Sequence, residues 1–527
     1  MHHADRHLSC RCPGRSPTGR GFCCRVGGSV WRALWRSTLR RQLAADGKRA
    51  PLRRPRGDHA RDPPSGLVSA RHTARPGRDV TVIPAIKAAA VSAVALTTVA
   101  ALLAIAWHLK HPLLYAVRPL ETPILLAAAA FGGVTAVRGR YGWWPAGRRS
   151  LVLCVGALAL LTLGREFEFA ATRHRVIEGS DDLRTLGAHF VVGFREIDEV
   201  EALAANGLIG GVYITRRNLR HGLTALAADL ARLQRHRRAA GLPPLIVAAD
   251  QEGGEVSHLS PWLERLPPLS SLVRDTDPAP LVERVRRYGE RQGVGLAKLG
   301  VTLNLAPVVD LRPALADGRG DFLTALASRA IADDPTLVGE VAEAYVAGLA
   351  DAGIVATLKH FPGLRRVHAD THLRRASLSE TPEALEPDWL PFRRLAVTTE
   401  TAIMLGHVRL AALDSEHAAS HSRVVVRNLL RREWGYTGVL ITDDLNMGAV
   451  YGEGIDRVAA QALAAGVDLV LVSYDPEQYY RAIGGAAEAL ARSEIDRDVL
   501  HASCERLTRL RARHSPGKDQ APETARG

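Results

Sequence analysis

Eight short apolar runs, each followed by an amphipathic stretch, constrain residues 175–512 more than any other feature of the chain. They are 187–194 (GAHFVVGF), 209–215 (IGGVYIT), 245–250 (LIVAAD), 302–309 (TLNLAPVV), 354–360 (IVATLKH), 401–407 (TAIMLGH), 438–443 (GVLITD) and 467–473 (VDLVLVS). Strands that are apolar throughout, rather than alternating, belong to a parallel sheet covered on both faces. Helical patterns at 219–239, 279–299, 335–352 and 476–493 lie between them. Eight such units predict an α/β fold, a (β/α)8 barrel of the TIM type. A doubly wound open sheet is the competing arrangement, but no Gly-rich dinucleotide fingerprint follows the first run.

The rest of the chain reads differently. Residues 1–80 are rich in Arg, Pro and Gly and lack apolar periodicity, so a disordered tail is expected. This tail holds 18 basic and 5 acidic side chains, whereas the other 447 residues hold 51 and 50. The net charge of +14 is therefore a property of the tail. A basic groove for nucleic acid in the folded body is not expected. Four of the six cysteines, Cys10, Cys12, Cys23 and Cys24, also sit in the tail, without the spacing of a zinc site.

Between tail and barrel lie three apolar runs, 84–109, 122–137 and 150–164. The first is long enough to cross a bilayer as a helix, and the other two are shorter. Arg138, Arg140, Arg148 and Arg149 between the last two, with Trp143 and Trp144, read as a cytoplasmic loop with interfacial aromatics. The expected membrane segment, 84–164, holds up to three helices. It places the tail inside, the connection near Lys110 and Arg118 outside, and the barrel at 175–512 outside. A polar tail, 513–527, ends the chain.

In a barrel of this kind, chemistry gathers where the strands end. Those ends carry Asp250, Asp310, Lys359 with His360, His407 and Asp443. A carboxylate after a strand commonly caps a helix, the ordinary reading of Asp310. After the fifth run, Asp370 and His372 stand two residues apart. A carboxylate on an imidazole fixes its tautomer and raises its basicity, which suits a general acid/base. His368, Asp370 and His372 lack a further metal ligand. Asp443 closes a buried run, and beside Lys359 and Arg329 it would stay ionised, as a nucleophile must. Attack by Asp443 on an anomeric carbon, with His372 protonating the leaving oxygen, is the two-residue logic of a retaining glycosidase.

These residues lie in GGVYITRRN (210–218), AADQEGGEV (248–256), LNLAPVVDL (303–311), SRAIADDP (328–335), ATLKHFPG (356–363), ADTH (369–372), MLGHVRL (404–410) and GVLITDDLNM (438–447). In that order they resemble glycoside hydrolase family 3, and more narrowly its single-domain β-N-acetylhexosaminidase branch, often called NagZ-like. The resemblance spans roughly residues 180–490. It implies a barrel that releases terminal β-linked N-acetylglucosamine with retention of configuration. It further implies Asp443 as nucleophile, Asp370 and His372 as a mobile acid/base dyad, and Asp250, Arg329, Lys359 and His360 as holders of the sugar hydroxyls. No metal or organic cofactor is implied. The β-glucosidase branch usually has a second domain, and about 84 residues after Asp443 are too few for one.

Five positions depart from the family pattern: Glu255 and His258, where Arg is common, and Leu364–Arg366, where the usual KHFPG is followed by H-G-D. The expected function is a membrane-anchored β-N-acetylglucosaminidase acting on cell-wall-type glycans, with phosphorolysis as a secondary outcome. Arg365 and Arg366 would attract an anionic aglycone or merely be solvated loop charges. Two other readings fit the same residues: a catalytically impaired sugar sensor, motivated by the departures, and a family 3 glycosidase for another sugar such as a β-glucoside.

Overall fold

The structure is a computed structural model, and it describes residues 82–138, 145–313, 324–398 and 401–513. The expected tail 1–80 with its four cysteines, Arg140 and the Trp143–Trp144 pair, and nearly all of 513–527 lie outside the described residues.

Eight parallel strands form one sheet: β1 (Phe190–Gly193), β2 (Gly211–Ile214), β3 (Ile246–Ala249), β4 (Leu303–Asn304), β5 (Val355–Phe361), β6 (Ala402–Leu405), β7 (Leu440–Thr442) and β8 (Val470–Val472). Their order is β7-β6-β5-β4-β3-β2-β1-β8. A parallel bridge between Ile441 and Leu469 joins β7 to β8 and closes the ring. Seven lie within the apolar runs and β5 passes its run by one residue, Phe361, because every strand residue but Lys359 and His360 is uncharged and the strands are buried on both faces.

Helices such as Leu223–Ala239, Leu281–Lys298, Pro335–Asp351 and Gln478–Ala491 cover the ring. Pro335–Asp351 shows how local sequence fixes an element. Asp334 caps it by accepting from Leu337 N–H, Pro335 stands in its first turn, and Val338, Val341, Tyr345 and Leu349 face the core. Two clusters fill the barrel. A small one inside the strands is built from residues such as Val191, Ile246, Leu303, Met404, Ile441 and Leu471, and a large one lies between strands and helices.

Three helices precede the barrel: α1 (Val82–Trp107), α2 (Arg118–Arg138) and α3 (Pro145–Glu178). Segments 114–135 and 150–178 are long and apolar enough to cross a membrane by length and composition, and 93–107 is shorter. Ala106, Leu109, Leu125, Ala129 and Leu158 make their common core, while Phe131, Leu153 and Leu160 are exposed. The helix containing the 150–164 run continues to Glu178, and Phe169 and Val176 on its last turns are buried in the large barrel cluster.

Candidate active site

The rim where the strands end collects the site. Residues 250–257 leave β3 as a tight antiparallel hairpin, Gln251–Gly253 with Val256–Ser257. Asn304 at the end of β4 grips it, accepting from Gln251 N–H at 3.0 Å and donating to Gln251 carbonyl at 2.9 Å. Gly253 has φ +97°, and a Cβ there would collide with the Tyr288 hydroxyl, so only glycine fits. This geometry turns the Glu252 carboxylate back toward the rim.

Glu252 then anchors two cations. Arg329, at the end of the short helix Leu326–Arg329, binds it through both Nε (2.9 Å) and Nη2 (2.6 Å). Lys359 Nζ lies 2.6 Å from Glu252 Oε1 and 2.8 Å from Asp250 Oδ1. Burial disfavours the charge on Glu252, but Arg329 and Lys359 outweigh it and hold the carboxyl well below its usual range. Asp250, Arg329 and Lys359 are thus brought together, through a residue that sequence reasoning missed. The available signal was position: Glu252 shares a strand-end hairpin with Asp250.

His360, beside Lys359 in β5, is fixed by Asp310. Asp310 Oδ2 accepts from His360 Nδ1 at 2.7 Å and from its backbone N–H at 3.0 Å, and Oδ1 accepts from Leu364 N–H at 2.8 Å. The cap expected of Asp310 is therefore replaced by a role in holding an imidazole. Because Nδ1 donates, His360 Nε2 is the atom left for the site. The Lys359–His360 peptide is cis.

Asp443 follows β7. Among the described residues it accepts one hydrogen bond, from Asp444 N–H at 2.9 Å, and it remains partly exposed. Burial opposes its ionisation, yet His360, His407 and His372 together hold its pKa below the usual 3.8. The groups facing it are the imidazoles of His360, His407 and His372, whereas Lys359 and Arg329, expected there from the sequence, are occupied by Glu252. His407 is set by Ser420 (2.9 Å to Nδ1) and donates from Nε2 to the Asp444 carbonyl (3.0 Å). Asp444 is structural: its carboxylate accepts from Asn446, Ser473 and Tyr474.

The loop after β5 brings in the dyad. Buried Asp370 accepts from His372 Nδ1 at 3.0 Å and from its backbone N–H at 2.9 Å. Thr324 lies within 3.4 Å of both side chains, a neighbour the sequence did not single out. The His372 side chain is 38% exposed, and with Nδ1 engaged by Asp370 its Nε2 is the ring nitrogen left for proton transfer. Gly448, beyond Asp443, supports the loop by donating its N–H to the His372 carbonyl at 2.7 Å, and a Cβ there would strike that backbone.

The departures from the family pattern have separate fates. His258 Nδ1 is 3.2 Å from the Tyr213 hydroxyl at the edge of the site, and burial lowers its pKa. Glu255 lines a cavity of about 340 Å³ together with Glu252, Arg329, Arg265 and Ser328. Asp443 and His372 do not line that cavity. Leu364 is buried in the core. Arg366 binds buried Asp388 at 3.0 Å, so it holds the loop rather than an aglycone. Among the described residues no group of three or more His, Cys, Asp and Glu is arranged to hold a metal ion.

Residues 182–510 match the sequence profile of the glycosyl hydrolase family 3 N-terminal domain. The chain belongs to this family. A protein of Nitrosomonas eutropha named beta-hexosaminidase is 35% identical over 286 residues, 54% of this chain and 78% of that protein. Beta-hexosaminidase LpqI of Mycobacterium tuberculosis is 32% identical over 289 residues, 53% of this chain and 70% of its own length. Among solved structures, a family 3 β-N-acetylglucosaminidase from Paenibacillus superposes with a TM-score of 0.58 at 30% identity. That match covers 63% of this chain and 62% of that one. The structure of M. tuberculosis LpqI gives 0.55 at 30% identity, covering 62% of this chain and 93% of that one.

Proposed function

We propose that the chain is a retaining β-N-acetylglucosaminidase, anchored in a membrane, that releases terminal N-acetylglucosamine from cell-wall-type glycans. The observation that carries this reading is the pairing on one rim of an underbonded, ionised Asp443 with a solvent-open His372 held by Asp370. The names of the family relatives support the sugar. In the first step Asp443 attacks the anomeric carbon while His372 Nε2 gives its proton to the leaving oxygen. The imidazole is then neutral, and in the second step it takes a proton from the water that hydrolyses the glycosyl-enzyme. Asp250, Lys359 and His360 hold the sugar hydroxyls, and Arg329 keeps Glu252 in place behind them.

The test is hydrolysis of a chromogenic N-acetyl-β-glucosaminide by the purified chain and by Asp443→Asn. Turnover in the first and its loss in the second is the expected pair of results. Retained turnover in Asp443→Asn overturns the assignment, and preference for the 2-hydroxy glucoside overturns the sugar.

The helices 114–135 and 150–178, apolar and exposed at Phe131, Leu153 and Leu160, support anchoring, and the Arg138, Arg140, Arg148 and Arg149 cluster between them with the basic tail supports a barrel outside the cytoplasm. External protease should digest the barrel in intact cells. Protection, with digestion after permeabilisation, would place it in the cytoplasm.

A further inference from the structure

The connection between α1 and α2 does not hang free of the barrel. Arg118 bonds to Asp475 and to Glu477, each at 2.6 Å. Gln478 donates to the Lys110 carbonyl at 2.6 Å, and Arg481 to the Leu109 carbonyl at 3.1 Å. Tyr115 is buried under the Arg195 guanidinium, 3.7 Å from the ring centroid, and packs edge-on against Tyr474 at 5.6 Å. His111 meets Tyr451 with ring centroids 4.5 Å apart. Arg195 comes just after β1 and Tyr474 just after β8. Tyr451 ends the short helix whose first residues hold the His372 backbone. Arg195, Tyr474 and Asp475 come directly after a strand's C-terminal end, Glu477 and Gln478 open the helix that follows β8, Arg481 lies one turn further on, and Tyr451 ends the short helix after β7. The connection sits on the catalytic rim, and Tyr474 N–H itself bonds to Asp444, next to Asp443.

The direction of α3 sets the side on which the apolar helices leave the barrel. Phe169 packs on Tyr480, and Thr172 lies beside Gly484, so α3 and the helix Gln478–Ala491 run the same way down the barrel wall. They descend from the rim toward the helix Asp181–Gly187, which feeds β1 from its opposite end. Near the rim, Glu166 is held by Lys110 at 3.4 Å and by Thr122. Beyond that level α2 climbs antiparallel to α3, with Gly132 against Val155. The apolar stretch 150–164 therefore projects past the catalytic rim by about 20 Å at 1.5 Å per residue. α2 and α3 thus leave the barrel on the side of its active-site mouth.

We propose that this connection clamps the barrel with its catalytic mouth turned toward the bilayer, and that the substrate is a terminal β-N-acetylhexosamine carried on a membrane lipid. The proposal rests on the glycosidase and membrane readings above. A sugar presented from the bilayer surface reaches such a mouth directly, whereas a tethered barrel that tumbled freely would share the raised local concentration but meet the sugar in the productive orientation only part of the time.

The experiment uses the full chain in phosphatidylcholine vesicles with two substrates, a soluble aryl N-acetyl-β-glucosaminide and the same sugar on a dialkyl lipid in the same vesicles. Arg118→Ala, and separately Glu477→Gln, should lower the ratio of lipid-borne to soluble turnover about tenfold and leave soluble turnover within twofold. An unchanged ratio in both overturns the proposal. A second readout needs no loss of fold. In a chain with its native cysteines replaced by serine, a fluorophore on Glu196→Cys at the rim should be quenched by headgroup-labelled lipid more than one on Glu494→Cys at the opposite end. Equal or reversed quenching overturns the orientation. Hydrolysis of neither substrate by the unmodified chain removes the glycosidase reading and the proposal with it. Release from vesicles at alkaline pH removes the membrane reading likewise.

Discussion

Two aspartates at opposite ends of the barrel differ in how far their oxygens are committed, and the proposed nucleophile is the less committed of the two. Asp468, at the entrance to β8, is fully buried, and both of its oxygens are filled. Oδ2 accepts from Arg431 at 2.6 Å and Leu440 N–H at 2.7 Å, and Oδ1 from Ser503 at 2.6 Å and Arg506 at 2.7 Å. Asp443, just past β7, accepts one hydrogen bond among the described residues and is flanked by imidazoles. The first commits its lone pairs to neighbours and ties three elements together. The second has lone pairs uncommitted among the described residues, as the proposed nucleophile requires, and the nearby imidazoles together with the Asp444 N–H favour its ionised form against burial.

Substitutions should separate the two. Asp443→Asn is expected to lower glycosidase turnover on the order of 10⁴-fold, as loss of one member of a catalytic unit does. Its melting temperature should stay close to that of the unmodified chain. A large thermal destabilisation instead would put Asp443 in the class of Asp468. Asp468→Ala should do the reverse, costing about 3–5 kcal/mol because Arg431 and Arg506 lose the buried charge that offsets them. Denaturant titration measures that cost, and KM of the fraction that remains folded should be unchanged. His372→Ala should reduce turnover about 10²–10³-fold and remove the limb of the pH–rate profile that reports proton donation. A profile with that limb intact would assign the proton to another group.

The smallest effect is the pH dependence of the carboxylates. Asp443 is held below its usual pKa of 3.8, so the acidic limb of kcat/KM should fall below that value. For Glu252 the folded pKa is depressed below the ordinary 4.5. Its contribution to stability is therefore complete above pH 4.5 and is lost as pH falls toward the folded value. The stability gap between the unmodified chain and Glu252→Gln should narrow on acidification from pH 4.5 downward. A gap that widened would show that the Arg329–Glu252–Lys359 cluster is not what holds this corner.

The strands were legible in the sequence because burial on both faces demands continuous apolar residues, a local signal readable in each run from Phe190 to Val472. Asp443, Asp370 and His372 were legible too, since strand ends and a two-residue spacing are local facts. The partner of Lys359 was not. Two carboxylates stand two residues apart after β3, both over 100 residues before Lys359, and nothing local says that Arg329 joins them through Glu252. Asp310 looked like a helix cap until β5 placed His360 against it. The helices before the barrel were legible as apolar runs, but their seat on the rim depends on Arg118 meeting Asp475 more than 350 residues later. The elements, the order of the chemistry-bearing residues and the family are thus written in the linear chain. Which charges neutralise each other and on which side of the barrel the apolar helices sit came only with the folded barrel, because both depend on close contacts between residues far apart in the chain.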